Sequence, residues 1–178
     1  SDSGNTALVG AYVDDVDANA DQGSAYVYER DGAVWSEQAH LTASDGAAED
    51  YFGRSVSLSS DGSTALIGAN MKMIGGNVKQ GAAYIFTRTN TTWSQQAQLT
   101  AVDGAAYDWL GVAVAISADG NTALAGAQGH MIGSNFLQGA AFVFVRSEST
   151  WSQQAMLAAP EDEVSLWGDA AALSPDGS

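Results

Sequence analysis

The chain has 178 residues, 46% hydrophobic and 15% charged, which suits one domain with a real core and rules out a disordered tail. Its 21 acidic against 6 basic residues leave a net charge of −15, which repels phosphate backbones and sets nucleic acid aside as a partner. Without Cys there are no disulfides, no thiolate catalysis and no Cys-type zinc site, and no apolar run is long enough to insert in a membrane as a helix.

The chain opens on SGNTALVGA at residues 3–11, where Thr6–Ala11 reads as a strand. A loop follows at residues 12–23, and Trp35 begins the last strand of this first stretch. Residues 45–50 have the composition for a single helical turn. Next comes YFGRSVSLSSDGSTALIGA at residues 51–69. In residues 53–60, Val56 and Leu58 alternate with Ser57 and Ser59, the period of a strand. Asp61-Gly62 then predicts a hairpin with a type I′ turn, because Gly accepts positive φ. A second strand spans Thr64–Ala69 and a longer loop spans residues 70–80. A third strand covers 82–88, with Tyr84 and Phe86 on one face and Ile85 on the other. A fourth covers 93–100, with Trp93, Ala97 and Leu99 sharing a face by alternation and Gln96 and Gln98 opposite. The whole unit returns from WLGVAVAISADGNTALAGA at residues 109–127, and its first half closes the chain as LWGDAAALSPDGS at residues 166–178.

Trp35, Trp93 and Trp151 are spaced by 58 and 58, and so are Gln22, Gln80 and Gln138. Four antiparallel strands per period is the pattern of a β-propeller blade. A β-solenoid is the weaker alternative, since its coils are shorter and lack repeated tight hairpins. The expectation is an all-β propeller domain over residues 1–178 with three blades, at 1–50 plus 166–178, 51–108 and 109–165. The half-units at the two ends would each leave an exposed sheet edge. The C-terminal strand is therefore expected to complete the N-terminal blade, and two copies of the chain would give a six-bladed ring. A three-blade portion of a longer propeller is the competing reading.

Phe52-Gly53, Gly68-Ala69 and Gly81-Ala82-Ala83-Tyr84-Ile85-Phe86 resemble the FG-GAP repeat, in three copies that cover essentially the whole chain. The repeat is found in the integrin α-subunit propeller and in many bacterial secreted or surface proteins. The resemblance implies a propeller and a secreted, extracellular or cell-surface location. It also implies a calcium loop between strands one and two. Aligned on Asp61-Gly62, however, the other acidic positions of that loop hold Ser57, Ser59 and Ala65, and one carboxylate per loop is too few for Ca²⁺.

The long loops differ most between copies. The first gathers Asp14, Asp15, Asp17 and Asp21, read either as a Ca²⁺ site or as a solvated acidic loop. The other two are apolar. Met71, Met73, His130, Met131 and Phe136 are the candidate ligand contacts, with packing between neighbouring units as the alternative. The recurring tryptophans read as core between blades or as sugar-stacking platforms. No G-x-S-x-G elbow or recurring Ser/His/Asp set is present. These features together give the expectation of a non-enzymatic extracellular binding and assembly module. It self-associates through its terminal strands and has a protein or glycan ligand; a carbohydrate-binding lectin is the alternative.

Overall fold

A computed structural model describes residues 1–133, 137–158 and 166–177. No helix occurs among them. Eleven strands form three antiparallel sheets. Sheet one has three strands, β1 (Thr6–Ala11), β2 (Ser24–Asp31) and β3 (Val34–Leu41), in that order. Sheet two has β4 (Phe52–Leu58), β5 (Thr64–Ala69), β6 (Ala82–Thr89) and β7 (Thr92–Leu99). Sheet three has β8 (Val114–Ile116), β9 (Thr122–Ala127), β10 (Ala140–Ser147) and β11 (Thr150–Ala158). Each sheet is a meander, so neighbours in sequence are neighbours in space. The stretch 45–50 is not a helical turn: Asp50 N bonds Ala47 O, and Asp50 Oδ2 accepts from Ala47 N at 2.7 Å, closing a tight turn instead.

The Asp61-Gly62 hairpin forms, but with a different turn from the one expected. Only Gly62 has positive φ (71°), whereas type I′ needs two such residues. Asp61 spends its carboxylate on Ser59 Oγ (2.7 Å), Ser63 N (2.9 Å) and Ser63 Oγ (2.7 Å), and these bonds hold it in the ordinary region. Asp119 repeats the arrangement, and the Ser117 hydroxyl with Asn121 keeps its carboxyl below the usual range.

A β-bulge recurs at one place in every sheet. Val27 pairs Ala39 while Tyr28 pairs Glu37, so Gln38 is the extra residue. Gln96 and Gln154 are extra in the same way. An inserted residue reverses which face the following side chains occupy. Trp93 therefore packs back against sheet one, while Ala97 and Leu99 pack forward against sheet three, not together as simple alternation predicts. Tyr84 and Phe86 do face one way and Ile85 the other.

The sheets stack face to face. Ala25, Val27 and Leu41 of sheet one bury against Ile67, Tyr84 and Phe86 of sheet two. Leu66, Ile85 and Leu99 of sheet two bury against Phe142, Phe144 and Val114 of sheet three. The backbones meet closely where β4 crosses β1 and where the 110–113 stretch crosses β5. A methyl built on Gly10 would run into Gly53 O, and one on Gly68 into Gly111 O, so only glycine fits.

Residues 166–177 lie on sheet three as the 52–62 stretch lies on sheet one. Gly139 and Trp167 form a parallel bridge, matching Gly81 with Leu110. Gly126 meets Gly168 as Gly10 meets Gly53. Ala171 and Leu173 pack with Ala115, Leu124 and Ala141. Within one chain this segment therefore does not reach sheet one, and β1 is left as an edge strand.

Candidate functional site: the joints between sheets and the two open faces

Besides the Glu29–Arg88 ion pair and the bonds from Ser44 N to Gln95 and from Val102 N to Gln153, two kinds of contact join successive sheets. The first uses the bulge. Trp93 Nε1 donates to Gln38 Oε1 at 2.8 Å, and Trp151 Nε1 donates to Gln96 Oε1 at 2.9 Å. The bulge turns each glutamine off its own strand so that it meets the indole of the next sheet. The other side of each indole faces an arginine, with Arg88 5.6 Å from the Trp93 ring and Arg146 5.8 Å from the Trp151 ring. Both rings also pack against the buried core, which favours a structural role over stacking on a sugar.

The second joint is ionic and sits at equivalent places in the loops 70–81 and 128–139. Lys72 is buried, with its Nζ 2.8 Å from Asp50 Oδ2 and 3.4 Å from Asp45 Oδ2, and it also donates to Asp45 O. Tyr84 Oη donates to Asp45 Oδ1 at 2.9 Å, and Gln98 donates to Asp45 Oδ2 at 3.0 Å. Burial and the Asp45 charge push the Tyr84 phenol far above its ordinary value, so it stays a donor. One repeat on, His130 takes the place of Lys72. Its Nδ1 is 2.9 Å from Asp108 Oδ2 and its Nε2 is 3.7 Å from Asp103 Oδ2. The bond to Asp108 raises the His130 pKa against the opposing effect of burial.

In the first repeat the same position is Asp14. It accepts from Ser24 Oγ (2.6 Å) and Tyr26 Oη (2.9 Å), which lower its pKa, and His40 lies 3.8 Å away while stacked on Tyr26. Asp15 caps Asp21 N at 2.9 Å, and Asp17 and Asp21 hold positive φ in the loop. The four acids do not converge: no group of three His, Asp or Glu side chains that could hold a metal ion exists among the described residues. Ca²⁺ at Asp14, Asp15, Asp17 and Asp21 therefore finds no geometric support.

Of the candidate ligand contacts, Met73 and Met131 are exposed and Met71 is half-buried, with its N–H on Asp50 O. His130 is buried in the ionic joint and faces no solvent-open ligand site. Phe136 lies outside the described residues. Val78 and Tyr107, not singled out from the sequence, add to the exposed apolar rim and adjoin through Tyr107 N to Val78 O.

At the two ends of the stack, faces that are buried elsewhere stand open. Val9 is 50% exposed, although its counterpart Ile67 is 0% exposed. Leu157 is 43% exposed, against 3% for Leu99. Trp35 is exposed, and its indole N–H finds no partner among the described residues. Beside the open face of sheet three is an apolar groove of about 330 Å³ lined by Leu124, Ala141, Leu157, Trp167, Gly168 and Ala170 to Ala172.

The family model of the FG-GAP repeat matches residues 35–86 and 93–144. The chain belongs to the FG-GAP repeat family. Each match begins at the tryptophan of a sheet's last strand, Trp35 or Trp93, and runs through three strands of the next sheet, so the FG-GAP unit spans a joint rather than one sheet. Its repeats build propeller blades and occur in extracellular proteins. No curated protein matches the chain. The structure of a periplasmic gluconolactonase from Pseudomonas aeruginosa is similar over 85% of this FG-GAP chain at 14% identity, with a TM-score of 0.49. The chain spans 38% of that structure's length. This comparison corrects one expectation: an enzyme's name stands among the similar structures, so the fold gives no ground for calling the chain non-enzymatic. No helix among the described residues is long and apolar enough to cross a membrane.

Proposed function

We propose that this FG-GAP chain is a binding and assembly module that works outside the cytoplasm and associates with a second copy of itself. One observation carries the reading. The open face of sheet one, with Val9 and Tyr26, repeats the face that sheet two buries with Ile67 and Tyr84. The open face of sheet three, with Leu157, repeats the face that sheet two buries with Leu99. Bringing one to the other continues packing that the chain already makes twice. Covering them removes exposed apolar area at about 25 cal/mol per Å² and satisfies the β1 edge. The rim carrying Met73, Val78, Tyr107 and Met131 is then left for a protein ligand.

Light scattering on the purified chain tests this. A particle of twice 18.3 kDa, or a larger multiple, is the expected result. A particle of 18.3 kDa at micromolar concentration overturns it.

A further inference from the structure

Resting on that self-association, we propose a defined register for the joint between copies: residues 167–173 of one copy pair antiparallel with β1 of the other, Ala171 opposite Val9. The internal sheets set the register. Val56 pairs Ile67 and Leu58 pairs Ala65 in sheet two. Val114 pairs Ala125 and Ile116 pairs Ala123 in sheet three. Trp167 stands where Leu110 stands, bridged to Gly139 as Leu110 is to Gly81, so the count places Ala171 at the Val56 and Val114 position. Val9 holds the Ile67 and Ala125 position. Ala172 then meets Leu8, and Leu173 meets Ala7.

The same register brings Gln154 of one copy to Trp35 of the other. Gln154 is the bulged residue of sheet three, as Gln38 and Gln96 are of theirs, and no indole among the described residues hydrogen-bonds to it. Of Trp35, Trp93 and Trp151, which share one place in the repeat, Trp35 is the one without a bulged glutamine before it.

The register also creates a conflict, and the structure says how it resolves. Ser1 to Asn5 and Ser174 to Ser178 occupy the same place in the repeat. Both are the turn between strands one and two, so only one of them can sit at the joint. Asp2 N donates to Ser60 O at 2.8 Å, just as Ser60 N donates to Ala118 O at 3.0 Å. Position 175 is proline, which has no N–H and cannot make the Asp2 bond to Ser60. Residues 1–4 therefore keep the seat, and residues 174–177 of the incoming copy give way. Ala118 N, which donates to Pro175 O within one chain at 2.8 Å, passes to Asp2 O of the second copy.

The chain contains no Cys, so an engineered pair reports one contact. The variant Val9→Cys with Ala171→Cys is expected to run as a covalent dimer on a non-reducing gel after mild oxidation. Val9→Cys with Leu173→Cys, displaced by one pair along the same face, is expected to link at least several-fold less. A chain ended after Leu173 and carrying the first pair should link as fast or faster, and one lacking residues 1–5 should link more slowly. If light scattering shows a dimer and the displaced pair links better, the register is wrong while self-association stands. A dimer whose linking slows when residues 174–178 are removed overturns the assignment of the seat. A monomer overturns both the register and the reading beneath it.

Discussion

Lys72 Nζ lies 2.8 Å from Asp50 Oδ2 with both side chains more than nine-tenths buried, and it ties the long loop of one sheet to the turn that enters it from the sheet before. Asp50 Oδ2 also accepts from Ala47 N, so one carboxylate oxygen serves both the loop and the turn. Removing the ammonium would leave a buried charge without its counter-ion. Lys72→Ala should cost about 3–5 kcal/mol, visible as a lower urea midpoint with an unchanged slope. Lys72→Met combined with Asp50→Asn should recover more than half of that loss, because no uncompensated charge then remains.

The His130–Asp108 joint makes stability depend on pH. The folded pKa of His130 is raised above the ordinary value near 6.5. Its contribution is therefore fully present below about pH 6.5 and is lost as pH rises through the folded value. The groups facing the ring are Asp108, Asp103 and the edge-on Phe142. Melting temperature should fall on going from pH 6 to the alkaline side, by an amount equivalent to about 1.5–3 kcal/mol. His130→Gln should flatten that slope. An equal slope in wild type and variant would place the pH effect elsewhere.

The glycine crossings should be intolerant in proportion to what a methyl would meet. At Gly68 a methyl meets the Gly111 carbonyl, which is backbone and cannot rotate away. Gly68→Ala should cost about 3 kcal/mol or more. Gly75 has φ of 57° and open space around it, so Gly75→Ala carries only the conformational penalty, about 1 kcal/mol. Chemical denaturation of the two variants side by side gives the comparison.

Trp93 and Trp35 occupy one position in two repeats but have different partners. Trp93→Phe should lose about 1 kcal/mol with the bond to Gln38. Trp35→Phe should leave the melting of the monomeric chain unchanged within about 0.5 kcal/mol, since Arg30, 5.7 Å from the ring, stacks on either side chain. It should still weaken the dimer about 5-fold, which a dilution series of the dimer measures.

Each copy carries a net charge of −15, so two copies repel. In the first repeat Asp14 stands where Lys72 and His130 supply a cation, so the proposed joint lacks that cation against the repulsion. Self-association should tighten as salt is added towards physiological strength, where the screening length is about 8 Å. Sedimentation at several salt concentrations measures this. A dimer that loosens with salt would show that ionic contacts hold it.

The 58-residue spacing, the alternation in residues 82–88 and the Asp-Gly hairpins were sufficient to place the strands of sheet two within two residues at each end. These are properties of nearest neighbours and of a repeat, which a linear chain displays directly. The face on which Trp93 lies was not readable, because one inserted residue at Gln96 inverts the alternation and nothing in the local composition announces a bulge. Nor was the role of His130, since its partners Asp103 and Asp108 lie 27 and 22 residues away and meet it only when two sheets stack. The four acids at 14, 15, 17 and 21 looked like one cluster in sequence, yet the Asp14 carboxylate turns to Ser24 and Tyr26 while that of Asp15 caps the Asp21 N–H. Sequence determined the sheet modules and their order, because hydrophobic periodicity and turn chemistry are local. Tertiary structure alone decided which side chains link one module to the next, because those links depend on which face each residue presents after the bulge.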